Sequence, residues 1–283
     1  MELELFDDLD EVKKFINDKF TIDELFKRSL QFKNLDDFKK FFKFIASFNH
    51  YSRYNTMLVY IQNPAVTFFG GTTFWKNRSR TINKDAKPLL ILYPHGPIML
   101  VYDIIDTSGK QSAEEYLKAG LGREVFKANG KIPIDRYDKT IETVKSWGIN
   151  IIYKPLSYFN GGYITTVFTG FLDIALKKDT EIEKNFRVLI HELAHLFLGH
   201  TGHKSIKLSK KEQTIKFNCR TLDRTTQELE AETVSFLVCS RVGLITNASD
   251  YLAGYITSNK NLEEFNYELV IKTADKIESL FIK

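Results

Sequence analysis

Apolar residues between positions 22 and 61 recur every three or four places: Leu25, Leu30, Phe32, then Phe38, Phe41, Phe42, Ile45 and Phe48, and on through Tyr54, Met57, Leu58 and Ile61. That spacing is helical and predicts two or three helices, which Pro64 stops. Residues 66–75, VTFFGGTTFW, are β-branched and aromatic around a glycine pair and predict strand, turn, strand. Two apolar runs, 89–93 and 98–105, joined by PHGP, predict a hairpin. A helical patch over 112–119 leads into a polar, glycine-containing run ending near Lys131.

In the second half, strands are expected around 149–153 and 163–168, with the Gly161-Gly162 pair between them. Three helices follow, over 181–199, 226–242 and 262–281, with a shorter one near Tyr251. Strands followed by helices imply an α+β fold. The chain has 283 residues, a length that suits two domains. The polar run places their division between about 120 and 150, giving a smaller α+β domain over 1–130 and a second domain over 131–283. No internal repeat or low-complexity tract is visible.

Composition narrows the class. With 23 Phe and 13 Tyr the chain is too aromatic to be disordered. Cys219 and Cys239, the two cysteines, are too few for a disulfide framework and are read as reduced thiols. The acidic start, MELELFDDLDEV, lacks the basic and then apolar pattern of an export signal. PLLILYPHGPIMLVY is short for a membrane span and is broken by Pro94, His95 and Pro97. The expected location is the cytoplasm, with no membrane partner. A net charge of +4 permits an acidic partner without arguing for one.

Candidate chemistry concentrates in HELAHLFLGHTGH, residues 191–203, which holds four of the six histidines. On a helix, Phe186, Leu189, Leu193 and Phe197 share one face, while His191 and His195, four apart, lie on the opposite side. Two imidazoles so placed reach one ion, and Glu192, turned about 100° away, reaches a water on it. Thirty-three residues beyond His195, in QELEAETVSFLV, Glu228 and Glu232 share a helical stripe and Glu230 points the other way. One carboxylate of that stripe completes a His, His, Glu site for Zn2+. The reading prefers Glu228 as the ligand, with Glu232 hydrogen-bonding a ligand imidazole. A solvated acidic face is the plain alternative. A third histidine spaced as in HExxHxxGxxH would stand at 201, which is Thr201. Because Gly199 is expected to end the helix, His200 and His203 are read as capping or rim residues.

HELAHLFLGH followed by ELEAETVSFLVCSRVGL resembles the ImmA/IrrE family of zinc metallo-endopeptidases, whose Glu-x-x-Ala-(Asn/Glu) helix supplies the third ligand. The match covers about residues 163–256 and implies a zincin-like metallopeptidase domain built from the HExxH helix, a glutamate-donating helix and a small sheet. The first half resembles ArdC-type antirestriction proteins, in which a single-stranded DNA-binding domain precedes a metallopeptidase domain. Ser52, Asn55, Gln62, Pro64, Gly70, Gly71 and Trp75 stand in that pattern's places, together with LLILYP. Lys84-Asp85-Ala86-Lys87 departs from the family's Lys-Gly-Glu turn.

The predicted reaction is Zn2+-dependent hydrolysis of peptide bonds in a protein partner, and the ImmA/IrrE resemblance implies that the partner is a regulator of DNA-related or mobile-element functions. His191, His195 and Glu228 hold the metal, and Glu192 takes the proton of the attacking water and passes it to the leaving amine. Strand 161–167 is a candidate edge for an extended peptide. The alternative is a single-stranded DNA-binding antirestriction protein whose zinc site is mainly structural. Arg53, Lys76, Arg78, Arg80 and Lys84, interleaved with Tyr54, Phe74 and Trp75, are its candidate contacts. A solvated basic loop beside buried aromatics explains the same residues. The lysine-rich run 203–220 reads as a second DNA-facing surface, a flap over the cleft or a solvated loop.

Overall fold

The computed structural model describes residues 35–48, 50–93, 96–118, 130–156, 161–166, 172–203, 205–207, 214–244 and 259–282. Its first half comprises helices α1 (Leu35–Ala46) and α2 (Arg53–Gln62), β1 (Phe69–Gly70), the short α3 (Thr72–Lys76) and β2 (Thr81–Ile82). The hairpin β3 (Leu89–Tyr93) and β4 (Gly96–Asp103), β5 (Thr107–Ser108) and α4 (Ala113–Tyr116) complete it. The second half runs α5 (Ile134–Ser146), β6 (Ile149–Lys154), β7 (Gly162–Thr166), β8 (Leu172–Lys177) and α6 (Ile182–Phe197). Then come β9 (Ser205–Lys207), β10 (Thr214–Lys216), α7 (Arg224–Arg241), α8 (Asn259–Glu264) and α9 (Tyr267–Ile282). Helices and small sheets alternate, an α+β fold. Helix over 22–34, the end of the expected strand at 167–168, the short helix near Tyr251 and the parts of the lysine-rich run at 204 and 208–213 lie outside the described residues.

Several elements differ from the sequence pattern. TTFW is helical rather than a second strand: Gly71 takes the N-cap position, and Trp75 is fully buried with its indole Nε1 donating to Tyr102 O at 3.0 Å. Tertiary packing overrides β propensity in so short a segment. The strand β8 lies in the centre of its sheet, parallel to β6 and antiparallel to β7, where no strand was expected. Helix α5 occupies part of the supposed boundary region, burying Tyr137, Ile141 and Val144. The expected helix over 262–281 breaks at Asn266, whose Oδ1 accepts from Leu269 N at 2.9 Å and caps α9.

In the first-half sheet β4 lies between β1 and β3, both antiparallel to it, so β3 is an edge. Helix α2 covers that edge with two side-chain amides. Asn55 donates Nδ2 to Leu92 O at 2.9 Å and accepts from Leu92 N at 3.0 Å. Gln62 does the same to Leu90, at 2.8 and 2.9 Å. Ser52 caps the helix, its hydroxyl accepting from Asn55 N at 3.1 Å. Ser52, Asn55 and Gln62 thus hold helix to sheet.

The apolar residues form two clusters. One collects Val59, Val66, Phe68, Phe69, Trp75, Leu89, Ile91, Val101 and Ile104 around the first sheet. The other is built by α5 to α9 and β6 to β8, and it also takes Phe38, Phe41, Phe42 and Ile45 of α1 and Met57 and Tyr60 of α2. Each such phenylalanine stabilises by roughly 1.5–3 kcal/mol. The core therefore does not divide at residue 130: α1 and α2, from the first half, are the wall shared by both clusters. Among the described residues, no helix is long and apolar enough to cross a membrane.

Candidate metal centre

Helix α6 enters from a turn at Asp179, which adopts φ 56°, and buries Phe186, Leu189, Leu193 and Phe197 against the core. This leaves His191 and His195 on the face toward α7, the two Nε2 atoms 3.0 Å apart. Glu228, on the first turns of α7, brings Oε2 to 3.4 Å from His191 Nε2 and 3.7 Å from His195 Nε2. Asp223 fixes the start of α7, its carboxylate accepting from Thr226 N at 2.9 Å. One atom from each of His191, His195 and Glu228 lies within 4.8 Å of the others. A tetrahedral ion with donors about 2.0–2.1 Å away holds them about 3.4 Å from one another. The three observed separations bracket that value, so the residues fit a divalent metal without rearrangement.

Electrostatics point the same way. Burial opposes protonation of His191, but the Glu228 and Glu232 carboxylates on its two nitrogens outweigh it and carry the group up to about 9. The two imidazoles hold Glu228 well below the usual carboxylate range. A cationic charge is thus favoured among these groups before any metal arrives. Glu192 is buried, and burial raises its affinity for a proton above the ordinary value despite the nearby histidines. A backbone hydrogen bond from Ile164 of β7 also reaches it. The glycine pair at the start of β7 permits that approach: a Cβ at Gly162 would stand 2.4 Å from Val188 of α6 and 2.6 Å from Ala175 O.

The partners around the donors extend the expected set. His191 Nδ1 lies 2.9 Å from Glu232 Oε2, the role read for Glu232 from its stripe, and Arg187 pairs with the same carboxylate. His200 departs from the capping or rim role. Gly199, at φ +80°, closes α6 in a Schellman turn, with His200 N donating to His195 O at 2.9 Å and Gly199 N to Leu196 O at 3.2 Å. The turn folds the chain back, so the His200 side chain is buried with Nδ1 3.0 Å from His195 Nδ1 and Nε2 2.9 Å from Glu230 Oε2. Glu230 also accepts from Arg220 and from Asn266 N at 2.8 Å. The glycine at 199 was the available sequence signal, since a Schellman turn returns the next residue to the last helical turn. His203 bonds Thr201 instead, Nδ1 to Oγ1 at 2.8 Å, and stands outside the donor cluster.

The candidate DNA contacts divide, and three of them need correction. Arg53 is fully buried, its guanidinium paired with Asp275 at 2.5 Å and with Glu278, and donating to Leu237 O at 3.1 Å. Arg80 is 4% exposed and donates to Thr107 Oγ1, Thr107 O and Gln111 O at 2.7–3.0 Å. Trp75 is in the core. These three are held by the protein's own groups, so no phosphate or base reaches them. Lys76 and Lys84 are exposed, and the half-buried Arg78 places its guanidinium 3.7 Å from the Phe74 ring centroid.

Comparison with known proteins gives distant likenesses. No family model matches the chain. An uncharacterised protein of Bacillus anthracis, pXO2-81, is 27% identical over 153 residues, 53% of this chain and 21% of that protein. The match thus spans about a fifth of that curated relative's length. The chain is also similar to the Mn(II)-bound crystal structure of the antirestriction protein ArdC from plasmid R388, with a TM-score of 0.37 and 15% identity, covering 86% of this chain and 97% of that one. The metal-free structure of the same protein gives 0.36 and 13%, covering 81% and 85%.

Proposed function

We propose that the protein is a divalent-metal-dependent hydrolase of peptide bonds, of the ImmA/IrrE kind, acting on a protein partner. The observation that carries this reading is a buried Glu192 beside three converging donors, His191, His195 and Glu228. A nitrogen, nitrogen, oxygen donor set suits Zn2+. When bound, such an ion supplies Lewis acidity, polarising a peptide carbonyl and making water acidic near neutral pH. The chain's residues do the rest. Glu192 accepts a proton from the attacking water and delivers it to the leaving amine nitrogen, and its raised proton affinity suits both steps. The bond from Ile164 orients its carboxylate, while Glu232, itself paired with Arg187, orients His191. Glu192→Gln is expected to retain Zn2+ while abolishing the protein fragments seen with wild type in cells. Unchanged fragments, or wild-type protein without stoichiometric metal by elemental analysis, would refute the reading.

A second reading is favoured by the exposed Lys76 and Lys84 and the half-buried Arg78, on and after α3. Lys76, Arg78 and Lys84, with Phe74 beneath Arg78, form a basic surface suited to single-stranded DNA, as in an antirestriction protein whose metal centre is mainly structural. Titrating a single-stranded oligonucleotide at rising salt tests it. Affinity should fall steeply with salt, and the triple alanine variant should lose it. No binding at low salt removes the DNA role and leaves the peptidase reading intact.

A further inference from the structure

We infer that His200 is a positioning residue for the metal ligand His195, the middle member of a Glu230–His200–His195 chain that fixes which nitrogen of His195 faces the metal. The inference rests on the metal-centre reading above.

His195 directs Nε2 toward His191 and Glu228, so Nδ1 must carry the proton for Nε2 to be a free donor. That Nδ1 lies 3.0 Å from His200 Nδ1, which accepts. The proton of neutral His200 then sits on Nε2 and is donated to Glu230 Oε2 at 2.9 Å. Glu230 is an acceptor throughout, taking further bonds from both Arg220 nitrogens and from Asn266 N. Its charge makes the first bond of the chain strong. The side chains of His200 and Glu230 are 1% and 0% exposed, so water cannot substitute for either.

The two ligand imidazoles are thereby backed in parallel. Glu232 touches His191 directly, and Glu230 reaches His195 through His200. Both carboxylates come from α7, as does Glu228, and each is neutralised by an arginine, Arg187 for Glu232 and Arg220 for Glu230. On a helix Glu230 points away from the Glu228–Glu232 stripe. It can serve the same centre because the Gly199 turn carries His200 round to meet it.

Zn2+ affinity, measured by competition with a chromophoric chelator, separates positioning from mere core filling. His200→Gln keeps an amide donor near the Nε2 position for Glu230 but loses the acceptor facing His195. His200→Asn keeps an acceptor near the Nδ1 position. Outer partners of metal ligands are typically worth 10- to 100-fold in affinity. The Gln variant is expected to bind Zn2+ that much more weakly, with Asn recovering most of the loss, in an order that does not follow the melting temperatures of the metal-free proteins. Equal affinity in wild type and the Gln variant, or no gain from Asn over Gln, would overturn the inference alone. Wild-type protein that binds no Zn2+ would remove the metal-centre reading and this inference with it. As a check that needs no variant, the 15N histidine spectrum of Zn2+-loaded wild type should show His200 as the neutral Nε2–H tautomer, and an Nδ1–H tautomer would overturn the chain.

Discussion

Replacing Arg53 by methionine tests whether this arginine holds the fold together. Its side chain is 0% exposed, between α2 and α9, and its guanidinium lies against Asp275, Glu278 and Leu237 O. Methionine retains most of the apolar stem, so the loss is electrostatic. Asp275, 36% exposed, can be served by water, but Glu278, at 9%, is left as a buried carboxylate with Arg241 Nη1 at 3.7 Å as its remaining cation. Breaking a buried pair costs about 3–5 kcal/mol, and the residual Arg241 contact places this one near 3. Urea denaturation at constant m measures it. Adding Glu278→Leu removes the orphaned carboxylate while Arg241 keeps its bonds to the carbonyls of Phe48 and Tyr51, and should return most of the lost stability. A single-variant loss below about 1 kcal/mol, or a double variant as unstable as the single, would refute the argument. Oligonucleotide binding per folded molecule should be the same in all three proteins.

Gly199→Ala should cost more than about 2 kcal/mol, since a side chain at φ +80° is strained and its Cβ would stand 2.0 Å from Asn218 O; a urea midpoint equal to wild type would contradict this. His191 bears on pH. Its folded value, about 9, lies above the ordinary 6.5, so the stability it adds to the metal-free protein is fully present below about pH 6.5 and is lost as pH rises through about 9. Zn2+ must displace that proton, so loading at pH 7.5 should release close to one proton and be roughly 15-fold weaker than at pH 9 on this account. Calorimetry in buffers of different ionisation enthalpy reads the release, and its absence would count against the assignment.

The candidate site was legible in the sequence where its residues obey the helical period. His191 and His195 opposite an apolar face, and Glu228 with Glu232 on one stripe, need only the 3.6-residue repeat. Helix α5 carried the same signal in Ile134, Tyr137, Ile141 and Val144, obscured by Pro133 and a polar composition. Strand β8, LDIALK, alternates buried Leu172, Ile174 and Leu176 with half-buried Asp173 and Lys177, but at six residues built partly of good helix formers the alternation is a weak signal. Arg53 and Arg80 looked like phosphate contacts because a charge reveals nothing of its burial, and the carboxylate partners of Arg53, Asp275 and Glu278, lie more than 220 residues away. For His200, position just beyond a helix suggested separation from His195, whereas Gly199 specifies a turn that brings it back.

A side-chain amide offers the same donor and acceptor as a peptide group. At the edge of β3, Asn55 and Gln62 occupy the places of two residues of a neighbouring strand, so the sheet is finished by a helix. Deamidation of either one replaces its donor with a second acceptor and sets a carboxylate against the carbonyl of Leu92 or Leu90. Chemical ageing at a single nitrogen would thus open one of the two amide latches between α2 and its sheet.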